Sequence, residues 1–215
     1  MKIQTLTVGP LEENCYFLID ESTNRAVLID PGDEPARIND AVRASGATLE
    51  SVWLTHAHFD HLGGLAGVLR AHPVPVYMHP LEAPLHEVAV GAALRFGIRI
   101  DAPPPPDREL AEGDRVHVGS QELSVMHVPG HAPGHVAFYN DSVIFGGDCL
   151  FAGSIGRTDL PFGDRETLDA SVARLVALGD QLALYPGHGA ATTIGRERRS
   201  NPFVTGSARL VRLKL

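Results

Sequence analysis

Apolar Ile3, Leu6 and Val8 alternate with polar Lys2, Gln4, Thr5 and Thr7 at the start of the chain. Successive side chains of a strand point to opposite faces, so this pattern predicts a strand over residues 3–8. Two further apolar runs, 15–19 and 26–29, predict strands joined by the polar turn Glu21-Ser22-Thr23-Asn24. Asp30-Pro31-Gly32-Asp33 then breaks the strand series, and Ile38, Ala41 and Val42 recur at helical spacing. Pro35 suits the first turn of that helix and Gly46 its stop. The run Val52-Trp53-Leu54 reads as a short buried strand. After it, Leu62, Leu65, Ala66 and Leu69 mark the apolar face of a second helix ending near Arg70, and 74–78 reads as another short strand.

Between Pro80 and Pro106 the periodicity weakens. Residues 85–94 suit a helix, and Pro103-Pro104-Pro105-Pro106 is a stiff extended connector. The segment reads as an excursion over the surface, because the later motifs need the earlier ones. Strands return over 115–118, 123–128, 136–139 and 143–145, with turns at Gly119-Ser120 and Asn140-Asp141. Asp164 is placed to cap a helix whose core face is Leu168, Val172, Leu175 and Val176. A last strand is expected over 182–185 and a short helix over 193–199. Two strand-rich halves with helices interspersed predict one domain over 1–215, an α/β sandwich with two sheets face to face and helices outside.

Composition narrows the function classes. The 215 residues are 44% hydrophobic and 20% charged, as in ordinary soluble domains. A net charge of −8 disfavours nucleic acid as a partner, since phosphate-binding surfaces are basic. No apolar run approaches the length of a bilayer span, and residues 1–10 lack the features of a signal peptide, so no membrane partner is expected. Cys15 and Cys149 give no disulfide framework and suit a reducing cytoplasm.

Chemistry is concentrated in Thr55-His56-Ala57-His58-Phe59-Asp60-His61-Leu62-Gly63-Gly64, where four metal-capable side chains fall within six positions. They sit on a loop between a strand and a helix. His56 and His58, two apart on extended backbone, point the same way and can hold one ion. Asp60 and His61 begin the next helix and aim elsewhere, towards a second ion. A lone His-x-His is common on ordinary strands; the added Asp60 and His61 give the cluster its weight, because polar groups have little reason to gather beside an apolar strand. Three later loops, each after an expected strand, carry one more candidate beside glycines: His131 in 128–135, Asp148 in 145–148 and His188 in 185–189. Glycine lets the backbone approach a centre closely.

THAHFDHLGG from Thr55, PGHAPGH from Pro129, GGDCLF from Gly146 and PGHG from Pro186 together resemble the metallo-β-lactamase-fold hydrolases, over nearly the whole chain. The resemblance implies an αββα sandwich of two mixed β-sheets flanked by helices. It also implies His56, His58 and His131 on one metal, Asp60, His61 and His188 on the other, and Asp148 bridging both. Two divalent ions so placed can share and acidify a hydroxide. Zinc is the default for this His-rich set, with iron and manganese close behind. His135 suits a supporting or a purely structural role equally; His72, His79, His86, His117 and His127 read as surface or packing residues. β-Lactamases of this fold can use a cysteine where Asp148 stands. Cys149 is one position on and reads as a packed thiol, so antibiotic hydrolysis is not expected.

Within the family the chain looks like glyoxalase II, the hydroxyacylglutathione hydrolases, in the short single-domain bacterial form without a C-terminal helical domain. The likeness rests on Asp60, Asp148, His188 and the stretch from Asp148 to Arg157. It implies hydrolysis of a small-molecule thioester, S-lactoylglutathione or another acyl-glutathione. Asp60 would orient the nucleophile and Arg157 would hold a substrate carboxylate. Arg209, Arg212 and Lys214 offer a basic tail as a further anion contact. Gly156-Arg157-Thr158-Asp159 also resembles the glutathione persulfide dioxygenases, which use one iron, here on His56 or His58 with His131 and Asp148. The ending Tyr185-Pro186-Gly187-His188-Gly189 follows the hydrolase pattern, which also admits a lactonase or other ester hydrolase.

Overall fold

A computed structural model describes residues 1–208, so the tail residues Arg209, Arg212 and Lys214 lie outside the described residues. The first half of the chain builds one sheet from β1 (Lys2–Val8), β2 (Glu13–Asp20), β3 (Arg25–Ile29), β4 (Thr48–Trp53), β5 (Val76–Met78) and β6 (Arg108–Glu109), which lie side by side in that order. β1–β2 and β2–β3 pair antiparallel; β3–β4, β4–β5 and β5–β6 are parallel. Parallel neighbours need a crossover. α1 (Pro35–Ser45) links β3 to β4, α2 (Phe59–Leu62) and α3 (Leu65–Ala71) link β4 to β5, and α4 (Ala83–Arg95) links β5 to β6.

The second half adds β7 (Arg115–Val118), β8 (Gln121–His127), β9 (Val136–Tyr139) and β10 (Val143–Gly147), then a small hairpin of β11 (Leu150–Phe151) and β12 (Ser154–Ile155). α5 (Arg165–Val176), β13 (Ala183–Pro186), β14 (Thr192–Thr193) and α6 (Ile194–Ser200) follow. The second sheet has the order β14-β13-β10-β9-β8-β7. Its one parallel pair, β10–β13, is the one that α5 spans. Both sheets are therefore mixed.

Side-chain alternation divides the interior into layers. In β2, Tyr16 and Leu18 face the space between the sheets, while Cys15, Phe17 and Ile19 face the helices outside. In β9, Val136 and Phe138 point inward and Ala137 points towards α5. Trp53 and Phe138 meet across the middle with ring centroids 5.2 Å apart. Each such fully buried large side chain stabilises the fold by roughly 1.5–3 kcal/mol. The layers run helix, sheet, sheet, helix, as the sandwich expectation required.

Three local features differ from the sequence expectation. The second helix is two pieces, broken at Gly63-Gly64. A Cβ on Gly63 would lie 2.6 Å from the Gly32 carbonyl oxygen, and one on Gly64 2.8 Å from that of Pro31. The loop after β3 docks there, and Gly64 donates to Pro31 O at 2.9 Å. Strands β6, β11, β12 and β14 have two residues each, too few for periodicity to register. Finally, α4 is longer than expected. Leu85, Ala89 and Ala93 are buried while Val88, Leu94 and Phe96 stay exposed, so it is apolar on more than one face and its pattern is blurred. Among the described residues no helix is long and apolar enough to cross a membrane.

Candidate metal centre

Four strand ends deliver the candidate ligands to one place. His56 and His58 follow β4, and Asp60 and His61 stand on the single turn of α2. His131 follows β8, Asp148 follows β10 and His188 follows β13. Two clusters result: His56, His58 and His131 in one, Asp60, His61 and His188 in the other, with ligand atoms within 4.8 Å of one another in each. His58 Nδ1 lies 3.1 Å from His56 Nε2 and 2.9 Å from His131 Nε2. Asp148 stands between the clusters. Its Oδ1 is 3.4 Å from His61 Nε2, and its Oδ2 is 3.5 Å from His131 Nε2 and 3.7 Å from His188 Nε2. His188 Nε2 is also 3.3 Å from Asp60 Oδ2. All seven expected ligands are brought together.

The outward ring nitrogens are held by oxygen atoms. His131 Nδ1 donates to Arg157 O at 2.9 Å and His188 Nδ1 to Leu11 O at 2.9 Å. His61 Nδ1 lies 3.0 Å from Asp30 Oδ2. Thr55 Oγ1 donates to Asp30 Oδ2 at 2.6 Å and is thereby free to accept from His56 Nδ1 at 3.0 Å. With their outer nitrogens carrying the protons, His56 Nε2 and His131 Nε2 both present lone pairs to His58 Nδ1, which can donate to only one of them. Lone pairs at such separations repel unless a cation lies between them. For tetrahedral zinc with bonds of 2.0–2.1 Å, neighbouring ligand nitrogens lie about 3.3 Å apart, close to the spacings found here. His61 Nε2 and Asp148 Oδ1 are buried without a hydrogen bond, which a cation would satisfy. The donor set fits a dinuclear metal site.

Electrostatics agree. Burial, reinforced by the neighbouring imidazoles, pushes His56 well below the usual histidine value and His58 down to about 3, so both stay neutral. Burial pushes Asp148 and Asp60 upward, but the facing histidines outweigh it and hold both below the usual carboxylate range. For His61 and His188 burial pulls the pKa down, yet the surrounding carboxylates outweigh it and raise both. A metal and protons compete for those two rings.

Asp30, Glu82 and Glu13 are functional neighbours that sequence reasoning missed. Asp30 forms a third cluster with His56 and His61. Its oxygens are already taken, Oδ1 by the Thr55 N–H at 2.7 Å and Oδ2 by Thr55 Oγ1 and His61, so it orients ligands. In sequence it belongs to a chain-breaking Asp-Pro-Gly-Asp. Only the parallel pairing of Ile29 with Trp53 reveals that it sits beside Thr55. Glu13 is buried beside His61, 3.9 Å away, with neither carboxyl oxygen hydrogen-bonded among the described residues. Burial pushes its pKa well above the usual range.

Glu82, fully buried at the start of the irregular stretch, clamps the two ligand loops together. Its Oε2 accepts from Ala57 N and its Oε1 from Gly134 N, both at 2.6 Å. Either protonation state of the carboxyl presents an oxygen to both N–H groups, whereas an amide would turn an NH2 towards one of them. Glu82→Gln is therefore expected to cost about 1–3 kcal/mol and to loosen the metal loops. Burial raises the Glu82 pKa from 4.5 to about 7. The folded chain keeps a proton that the unfolded chain releases, so this contribution is full below pH 4.5 and is lost as pH rises through about 7. Urea midpoints at the two ends of that interval, at equal metal content, should show the decline in the wild type and not in Glu82→Gln.

The remaining histidines and Cys149 fall into supporting places. His135 accepts from the Asp148 N–H at 3.0 Å and stacks on His56 at 4.8 Å, so it props the centre from behind. His79 and His127 stack on each other at 4.5 Å. Cys149 is fully buried with a thiol pushed upward by burial, as a packed side chain should be. Gly187 must be glycine: a Cβ there would collide with Asp148 Oδ1. Arg157 lines the cleft above the centre, but its guanidinium pairs with both oxygens of Asp159 at 2.7 and 2.8 Å. That cleft has a volume of about 520 Å³ and reaches His58, Asp60, His131, Asp148 and His188.

The sequence pattern of the metallo-beta-lactamase superfamily matches residues 8–188. The chain is 37% identical over 213 residues to the hydroxyacylglutathione hydrolase GloC of Haemophilus influenzae, covering 97% of this chain and 100% of that one. Among solved structures, TTHA1623 in a di-iron-bound form superposes with a TM-score of 0.87 at 46% identity, covering 93% of this chain and 99% of that one. The B3 metallo-beta-lactamase BLEG-1 superposes with a TM-score of 0.88 at 37% identity, covering 95% and 100%. Likeness thus extends to a B3 metallo-beta-lactamase as well as to a hydroxyacylglutathione hydrolase, and substrate choice has to be read from the cleft.

Proposed function

The chain belongs to the metallo-beta-lactamase superfamily, and from that premise we propose that it is a thioesterase acting on S-lactoylglutathione or another acyl-glutathione. The observation that carries this reading is the pair of ligand clusters sharing Asp148 at the floor of an open cleft. His56, His58 and His131 would hold one divalent ion and Asp60, His61 and His188 the other, with Asp148 common to both. Zinc is the proposed metal; the di-iron-bound neighbour makes iron the first alternative. Bound there, two ions supply Lewis acidity and bring a water's pKa to near neutrality.

The protein's own part is positioning. Asp60, kept ionised by His188 and His61, would accept a hydrogen bond from the attacking water and so orient its lone pair. The thioester carbonyl would enter from the cleft, whose walls are largely apolar, and the sulfur would leave as a thiolate. Cys149 is buried, so it is not available as a nucleophile and no acyl-enzyme through it is expected. The test is S-lactoylglutathione hydrolysis before and after chelation, on protein with quantified metal. Turnover lost on chelation and regained with metal supports the reading. Absent turnover together with oxygen uptake on a glutathione persulfide would replace it with the dioxygenase.

A further inference from the structure

The cleft has two unlike walls. One is α4, where Leu85, Val88, Ala92 and Arg95 recur at i, i+3, i+7 and i+10 and so share a face, which lines the cleft. The other is the segment after β10, which contributes Phe162. Val88, Phe96 and Phe162 are 54–57% exposed, an unusual concentration of large apolar side chains in one place. Phe162 also holds φ at 68°, in the left-handed region that bulky residues rarely adopt. Such strain costs about 1–3 kcal/mol and gathers at ligand clamps.

Charge is distributed as unequally. Besides histidine, the described residues lining the cleft include two cations, Arg95 and Arg157. Arg157 is neutralised by its two-pronged pair with Asp159. Arg95, exposed at the end of α4, has no hydrogen bond or ion pair with the described residues. In a chain of net charge −8, with Asp60 and Asp148 on the cleft floor, an unpaired guanidinium is set to receive an anion from outside.

We propose that Arg95 anchors a carboxylate of the substrate while Val88, Phe96 and Phe162 hold an apolar chain, so that the substrate class is an amphipathic, carboxylate-bearing thioester. The proposal rests on the thioesterase reading for the bond that is cleaved, but not for what the walls recognise. Non-hydrolysable thioethers separate the two. Calorimetry on the metal-loaded protein would compare 3-(hexylthio)propanoate with its neutral amide and with 3-(methylthio)propanoate. The hexyl carboxylate is expected to bind about 10-fold or more tightly than either. Arg95→Ala should remove about 10-fold from carboxylate binding and leave the amide unchanged, Arg95→Lys should retain part of it, and Arg99→Ala, at an exposed arginine after α4 that does not line the cleft, should change nothing. Equal binding of the carboxylate by wild type and Arg95→Ala, a loss confined to Arg157→Ala, or equal affinity for hexyl and methyl ligands would overturn it. Arg95-dependent binding without S-lactoylglutathione turnover would overturn only the acyl-glutathione substrate of the proposed function and leave this proposal standing. Turnover with Arg95-independent binding would overturn only this proposal.

Discussion

Asp148→Ala is expected to lower thioester turnover by about 10³-fold or more, with bound metal falling below two ions per chain. The carboxylate stands between the two clusters, with Oδ1 towards His61 and Oδ2 towards His131 and His188. Without it neither ion of the proposed centre would keep its full set of ligands. The backbone around it is held independently, by Asp148 N on His135 and by Gly156 N on Cys149 O, so the chain should still fold. Metal analysis and kinetics on one preparation, with circular dichroism as the control, check this. Wild-type turnover at two ions per chain would show that Asp148 is not shared.

The second large effect belongs to a residue that touches no substrate. Asp30→Ala removes the acceptor for the Thr55 N–H, the Thr55 hydroxyl and His61 Nδ1, all buried. Stranding those donors is expected to cost about 3–5 kcal/mol of stability. Freeing His61, and through Thr55 also His56, should weaken metal binding by about 10–100-fold, since outer partners fix ring orientation. Asp30→Asn keeps the shape but turns one acceptor into a donor, so it should fall between. Competition with a chromophoric chelator gives the affinity, and thermal denaturation gives the stability. Unchanged affinity in Asp30→Ala would mean that the rings are held by packing alone.

The seven ligand candidates were legible because metal chemistry uses few residue types, and here those types cluster beside strand ends and glycines. His56 and His58 needed only strand geometry to be paired, and their convergence is observed. The sandwich was legible because short apolar runs such as 15–19 and 26–29 mark strands, and two strand-rich halves with helices between them leave two sheets to pack face to face. What the sequence hid depends on contacts between distant segments. Asp30 serves the centre only because β3 lies parallel to β4. Glu82 serves it only because two loops separated in the chain by β5 to β8 close around one carboxylate. α4 was blurred because part of its apolar surface faces the cleft instead of the core. Arg157 shows the limit of motif reading: its position over the cleft was legible, its partner Asp159 was not.

The most direct test of a shared dinuclear centre is a metal titration of chelator-stripped protein, following S-lactoylglutathione hydrolysis against ions bound per chain. Activity should rise to its plateau only as the second equivalent binds, because Asp148 and both clusters are then filled. A plateau at one equivalent, or turnover that survives complete removal of metal, would contradict the two-ion hydrolase.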